Sequence, residues 1–345
     1  MLPYWTVFSI FALSALTNTR YHRSMWWAFG VLLVLFVGLR YRVGGDWGTY
    51  RGQVWRMIDR DLSEVLGGRE PGYQTLNWIA AYIDADVWLV NLICAVIIIS
   101  GLFRFVRRMP APMLALTVAS PYLIFIVAMG YTRQAAAIGM LLHAFVCFEQ
   151  RRVPMFIALS VVAATFHQTA LLFFGVAALS MVRRNILGFV ILMVVGAGMY
   201  QLFMAERADR FIAGYVESSY AQASQGGFIR ILMTALAGSA FILLSRRMPM
   251  EKHVRAFWFW ASVMSLVFLA LVRISPTAVD RMGLYLLPLQ VVVAGYSVAA
   301  FPKRSASLVR VGIVGLYTAV LFTWLFFAAN RGSWLPYQNW LLVLD

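Results

Sequence analysis

The chain has 345 residues, 62% of them hydrophobic and only 12% charged, with 29 Lys and Arg against 14 Asp and Glu for a net charge of +15. So apolar a composition excludes a soluble globular domain, and basic residues clustered between apolar runs are the charge pattern of a polytopic membrane protein. The two cysteines, Cys94 and Cys147, lie inside apolar runs, which excludes a disulfide framework and a Cys-based metal site.

Twelve apolar segments are predicted: 4–16, 25–39, 87–103, 112–129, 131–148, 153–166, 168–181, 185–203, 228–245, 257–272, 282–300 and 308–328. Only helices satisfy every backbone group in lipid with such a pattern. The expected fold is therefore all-α: one integral membrane domain over 1–345, with about twelve transmembrane or half-membrane helices and no soluble domain. Several segments are short of the ~20 residues that a full span needs. The first basic residue, Arg20, follows the first apolar run, so this run lacks the basic start of a signal peptide and reads as a retained helix.

Loops rich in Lys and Arg stay on the cytoplasmic side. The clusters are Arg20/Arg23, Arg104/Arg107/Arg108, Arg151/Arg152, Arg183/Arg184, Arg246/Arg247/Lys252/Arg255 and Lys303/Arg304/Arg310, accompanied by only Glu149 and Glu251. The other 12 acids and 13 arginines fall on the outer side, as do both termini. This parity holds only if 153–181 is two short helices rather than one long one. The outward turn Phe166-His167-Gln168-Thr169 then sits below the outer surface, where non-helical backbone needs a protein-lined cavity.

The longest outer loop is 40–86. Turn signals at Gly44-Gly45 and Pro71-Gly72 bracket Val54, Ile58, Leu62, Val65 and Leu66, spaced as one face of a helix opposite Arg56, Asp59, Arg60 and Glu64. This predicts an amphipathic surface helix within 51–69, followed by a second helix over 73–84. Another outer loop, 204–227, carries Glu206, Arg207, Asp209, Arg210 and Glu217 with Tyr215 and Tyr220, and the tail 329–345 holds Arg331 and Trp334-Leu335-Pro336-Tyr337. A mixed Arg/acid surface interleaved with Tyr and Trp suits a charged, sugar-like or phosphate-bearing substrate.

Four places on that face carry candidate chemistry. Arg133-Gln134 opens a helix, where free N–H groups and a guanidinium favour phosphate; an interfacial Arg reaching to water is the alternative. His167-Gln168 at the cavity turn offers a base or a phosphate donor, or a buried His bonded to a carbonyl. Asp46 and Glu70, beside Gly and Pro turns, could position or deprotonate a hydroxyl, or pair with nearby arginines. Arg281 is expected to start a helix whose next turn holds Tyr285, with Asp280-Arg281 as a local ion pair. No metal-ligand cluster, Gly-rich nucleotide loop or Ser/His/Asp set stands out, so neither metal nor cofactor is expected.

Taken in order, Arg42-Val43-Gly44-Gly45-Asp46 with Tyr50, Glu70-Pro71-Gly72-Tyr73, Tyr131-Thr132-Arg133-Gln134, Phe166-His167-Gln168-Thr169-Ala170, Arg281 with Tyr285, and Pro336-Tyr337 resemble the EpsG branch of the Wzy-like polysaccharide polymerases. Family members commonly read Gly-Thr-Asp where this chain has Gly44-Gly45-Asp46, and 185–270 matches only in hydrophobic pattern. The resemblance implies a bacterial inner-membrane glycosyltransferase. It would join repeat units carried on undecaprenyl diphosphate at the periplasmic face, with lipid diphosphate as leaving group. It implies catalytic roles for Arg133, His167, Asp46, Glu70 and Arg281, with diphosphate held by Arg133 and Arg281 assisted by Arg42. Tyr50, Tyr73, Gln134, Gln168, Tyr285 and Tyr337 would line the substrate site. The expected partners are the lipid-linked glycan, membrane lipid and a chain-length regulator, with no nucleic acid. The rival readings are a polytopic transferase adding one sugar, a transporter or flippase of the lipid-linked repeat, and a membrane acyltransferase; no internal repeat of the transporter kind is found, and the inward face is basic, without the His–acid pair an acyltransferase would favour.

Overall fold

The computed structural model describes residues 1–19, 21–181, 186–203 and 226–343. Arg20, Arg183, Arg184 and nearly all of the predicted outer loop 204–227 lie outside the described residues.

Among the described residues every regular element is a helix, and each of the twelve apolar segments carries one. In chain order these are α1 (Leu2–Leu16), α2 (Arg23–Gly38), then three short helices of the 40–86 loop, α3 (Trp47–Trp55), α4 (Leu62–Gly67) and α5 (Pro71–Tyr82). There follow α6 (Val87–Val106), α7 (Pro112–Gly130), α8 (Thr132–Glu149), α9 (Val153–Phe166), α10 (Gln168–Met181) and α11 (Ile186–Phe203). The last four are α12 (Gly227–Arg247), α13 (Lys252–Leu271), α14 (Pro276–Ala300) and α15 (Lys303–Phe327). Six of these, α6, α7 and α12 to α15, are long and apolar enough to cross a membrane. The protein is thus an all-α polytopic membrane protein.

α7 is the centre. It carries no charge and is buried on every side, packed against α1, α14 and α15. A helix apolar all round has no face to give to water, so it takes the core. Within it, Ser120–Val127 widens into a π-helix at Pro121. Proline supplies no N–H and crowds the preceding turn, and a wider turn accommodates both.

Beside α7, α6 and α8 meet backbone to backbone: a Cβ on Gly101 would stand 2.3 Å from the Gly139 carbonyl oxygen. Small residues allow this approach where lipid gives helices no hydrophobic reason to associate. The contact fixes α8, and so the position of Arg133 in its first turn.

The pair α9 and α10 breaks at His167, which is extended (φ −159°, ψ 121°). With 14 residues, α9 is about 21 Å long, short of a ~30 Å hydrocarbon core.

The loop 40–86 departs from expectation in one respect. The amphipathic pattern of 51–69 is not one helix: α3 ends at Trp55 and α4 starts at Leu62, with Asp59 between them at φ +67°. Short polar residues tolerate the left-handed region and break helices there. The second helix is present and begins at Pro71, slightly before the apolar pattern.

Contacts sort the loops into two ends. At one, Gly44 N–H donates to the Ser333 carbonyl at 2.7 Å and Tyr41 N–H to that of Gln338 at 3.0 Å, stitching the C-terminal tail to the loop after α2. At the other, Arg108 pairs with Glu149, Arg151 with Glu251, and the His253 ring meets the Phe148 and Glu149 carbonyls. The basic clusters that are described gather at this second end.

Candidate active site

Glu70 is the pivot of the first end. It is the residue before α5, held at φ +54° and only 3% exposed. A non-glycine residue in the left-handed region is uncommon, and such strain collects at functional sites. Pro71 fixes the first turn of α5. Gly72 then lies against the last turn of α9, where a Cβ would come within 2.3 Å of the Thr165 hydroxyl oxygen. This close approach sets Glu70 beside the α9–α10 break.

Three side chains meet there. Arg133 Nη1 donates to Glu70 Oε2 at 2.6 Å, and His167 Nε2 lies 3.8 Å from Glu70 Oε1. His167 Nδ1 accepts from the Thr169 backbone N–H at 3.4 Å, which puts the proton of the neutral ring on Nε2, facing the carboxylate. The turn that holds His167 is outside both helices. Burial pushes its imidazole down to about 4, helped by Arg133, Arg281 and Arg69 and opposed by Glu70. The ring is therefore neutral at pH 7. Glu70 Oε1 and Arg133 Nε, both buried, have no hydrogen-bond partner among the described residues.

Aromatic rings wall the cluster. The Arg133 guanidinium lies 5.9 Å from the Tyr50 ring centroid, Tyr50 is 5.9 Å from Tyr73, and Tyr285 is 6.0 Å from His167. The hydroxyls of Tyr73 and Tyr285 and the amide oxygen of Gln134 are buried and have no partners among the described residues. Burial raises the Tyr50 phenol to about 12 and lifts that of Tyr73 well above its ordinary value, so both stay protonated donors. Gln168 is buried in the same turn as His167. Arg133 Nε and the Tyr73 and Tyr285 hydroxyls, left unsatisfied with Glu70 Oε1 among the described residues, would be costly in a sealed core, and they are arranged as a site for a polar ligand would be.

Other candidate residues stand further out or elsewhere. Asp46 precedes α3, half-buried, with no capping bond of its own, and its charge bears on Tyr50. Arg42 is exposed and lies 5.1 Å from the Tyr41 ring. Tyr337 is committed to packing: its hydroxyl donates to the Phe36 carbonyl at 2.8 Å and its ring stacks on Phe36 at 4.6 Å. The structure does not bring it into the cluster.

The expectations at Asp280 and Arg281 need correction. Asp280 does not pair with its neighbour; it takes a two-pronged bond from Arg230, at 2.9 and 2.6 Å, buried between α12 and α14. Arg281 does not open a helix but lies in the last regular turn of Pro276–Gly283, inside α14. Its guanidinium stacks 4.4 Å from the Tyr131 ring, next to the start of α8.

Arg40 is the residue that sequence reasoning passed over. It is 1% exposed and donates to the Val37 and Val43 carbonyls, to Asn91 Oδ1 at 2.9 Å and to Thr132 Oγ1 at 2.8 Å. It thereby ties the loop after α2 to α6 and to the residue before Arg133. Its only signal was a position among apolar residues at a helix end, which snorkelling arginines share.

No curated protein and no solved structure matches the chain significantly. The site nevertheless falls wholly inside a family match that runs over residues 24–339, and the chain belongs to the EpsG family, polytopic membrane proteins linked to polysaccharide biosynthesis.

Proposed function

We propose that the protein polymerises undecaprenyl-diphosphate-linked oligosaccharide repeat units at the periplasmic face of the bacterial inner membrane. Both termini and the Glu70 end face the periplasm in this reading. The single observation that carries it is the buried contact of Glu70 with Arg133 and His167, which puts a candidate base, a cation and a neutral imidazole at one point.

The chemistry runs as follows. A sugar hydroxyl of the incoming unit, set to one side of the two groups, accepts from His167 Nε2–H and donates to Glu70 Oε1, which stand 3.8 Å apart. Its oxygen attacks the anomeric carbon of the growing glycan, the proton passes to Glu70, and the bond from that carbon to the diphosphate oxygen breaks. Charge develops on the departing diphosphate, where Arg133 and Arg281 stabilise it. Tyr50 and Tyr73, both buried beside the cluster, supply protonated hydroxyls rather than exposed ring faces.

The test is reconstitution of the purified protein with lipid-linked repeat units, followed by gel analysis. A ladder of multiples supports polymerisation. A single added sugar would replace it with a one-step transferase, and movement of the intact unit between leaflets with a flippase.

A further inference from the structure

Apart from the Glu70 cluster, an open groove of about 770 Å³ lies between α7, α12, α14 and α15. Its volume suits a large organic ligand. One long wall is apolar and belongs to a single face of α15: Leu316, Val320, Trp324 and Phe327 recur at helical spacing. Tyr122 and Ile126, from the π-helical stretch of α7, face them across the groove.

The other end is polar. Tyr131, Arg230, Asp280 and Arg281 line it. Arg230 and Asp280 satisfy each other, but among the described residues no carboxylate pairs with Arg281, which rests only on the Tyr131 ring. One more group lacks a partner: the indole N–H of Trp324, a groove-lining residue 8% exposed, has no acceptor among the described residues. An unneutralised guanidinium at one end, with apolar walls beyond, matches an amphiphile with an anionic oxygen-rich head.

Arg281 also joins the groove to the candidate active site. Tyr131 immediately precedes α8, whose second residue is Arg133, and the charge of Arg281 is felt at both His167 and Tyr50. A phosphate held by Arg281 would have its sugar on the Glu70 side and its lipid chain on the α15 side.

We infer that the α7–α12–α14–α15 groove seats the lipid chain of the phosphate-linked substrate, with Arg281 holding the phosphate at its mouth. This rests on the transferase reading for the identity of the lipid. Bilayer phospholipid would share the anionic head, so the test separates the two.

The experiment is photo-crosslinking of the full-length protein in nanodiscs with a diazirine-bearing polyprenyl diphosphate, mapped by mass spectrometry. Label is expected on 316–327. Excess undecaprenyl phosphate should compete it away and equal phosphatidylglycerol should not. Ala319→Trp, a substitution at an exposed position lining the groove, should cut labelling about ten-fold by occupying the chain's place. Label elsewhere, equal competition by phosphatidylglycerol, or undiminished labelling in A319W would overturn the assignment. Crosslinking needs no turnover, so groove labelling by a protein that makes no ladder would uphold the groove and sink the polymerase reading, whereas a ladder with label elsewhere would do the reverse.

Discussion

Glu70 has two oxygens in unlike surroundings: Oε2 is held by Arg133, and Oε1 is buried with no hydrogen-bond partner among the described residues. Glu70→Gln keeps the shape and most contacts but removes the base. Polymer should fall at least ~100-fold with protein levels near normal, and a ladder of wild-type intensity would remove Glu70 from the chemistry. Arg133→Ala is a poorer probe, because it strands a buried carboxylate and costs folding as well. Arg133→Lys keeps the charge and loses the planar fork, so about a 100-fold loss without loss of protein is expected. His167 gives a pH signature. Its folded value of about 4 is below the ordinary ~6.5, so between these the unfolded chain binds more protons. Its contribution to stability is complete above about pH 6.5 and is lost as pH falls toward 4. Thermal melts of the detergent-solubilised protein should therefore decline more steeply with acidification in wild type than in His167→Asn; parallel slopes would contradict this. Each of the three residues was legible in the sequence, because each sits at a turn or helix start on the same predicted face. Their mutual contact was not, since 63 residues separate Glu70 from Arg133. Arg40 and Asp280 show the same limit: a charge's partner is chosen by packing, and Asp280 pairs with a residue 50 positions away rather than the one beside it.

Among the elements, the loop after α2 depends on one backbone conformation. Gly44 has φ +105°, and a Cβ there would stand 2.2 Å from the Met129 carbonyl oxygen at the end of α7. Both the angle and the contact reject a side chain. Gly44→Ala should cost at least ~2 kcal/mol and lower the folded yield, measured by melting in detergent. Gly48→Ala, four residues on in α3 with open space around it, should be neutral or slightly stabilising. Equal effects would mean that the contact with Met129 is not what fixes the loop. Apolar runs set helix positions clearly in this chain, because lipid-facing and core-facing residues are both apolar and the run itself marks the element. The same uniformity hid which helix is central: the run 112–129 carries no charge, but neither do the runs 87–103 and 153–166, so nothing in it marks α7 out. Where solvent takes part, as in 51–69, the apolar spacing was real but Asp59 at φ +67° divided it.

At the scale of the whole molecule, the partition of charge between the two ends is the strongest feature of the sequence, and the contacts respect it. The choice of two short helices over 153–181 rested on that partition alone, and the break at His167 is where it required one. Which end faces the periplasm is a matter of membrane orientation, and the two native thiols make it measurable because Cys94 and Cys147 are buried. Three exposed positions serve as reporters: Gly48 in the loop, Gly332 in the tail, and Ser305 at the basic end. If loops rich in Lys and Arg stay in the cytoplasm, Gly48→Cys and Gly332→Cys should react with a membrane-impermeant maleimide in spheroplasts. Ser305→Cys should react only after lysis. Since Gly44 bonds Ser333, positions 48 and 332 must report the same side, which makes them an internal control. Labelling of Ser305→Cys alone in sealed cells would invert the protein, put Glu70 and Arg133 in the cytoplasm, and take with it the proposal of a periplasmic polymerase.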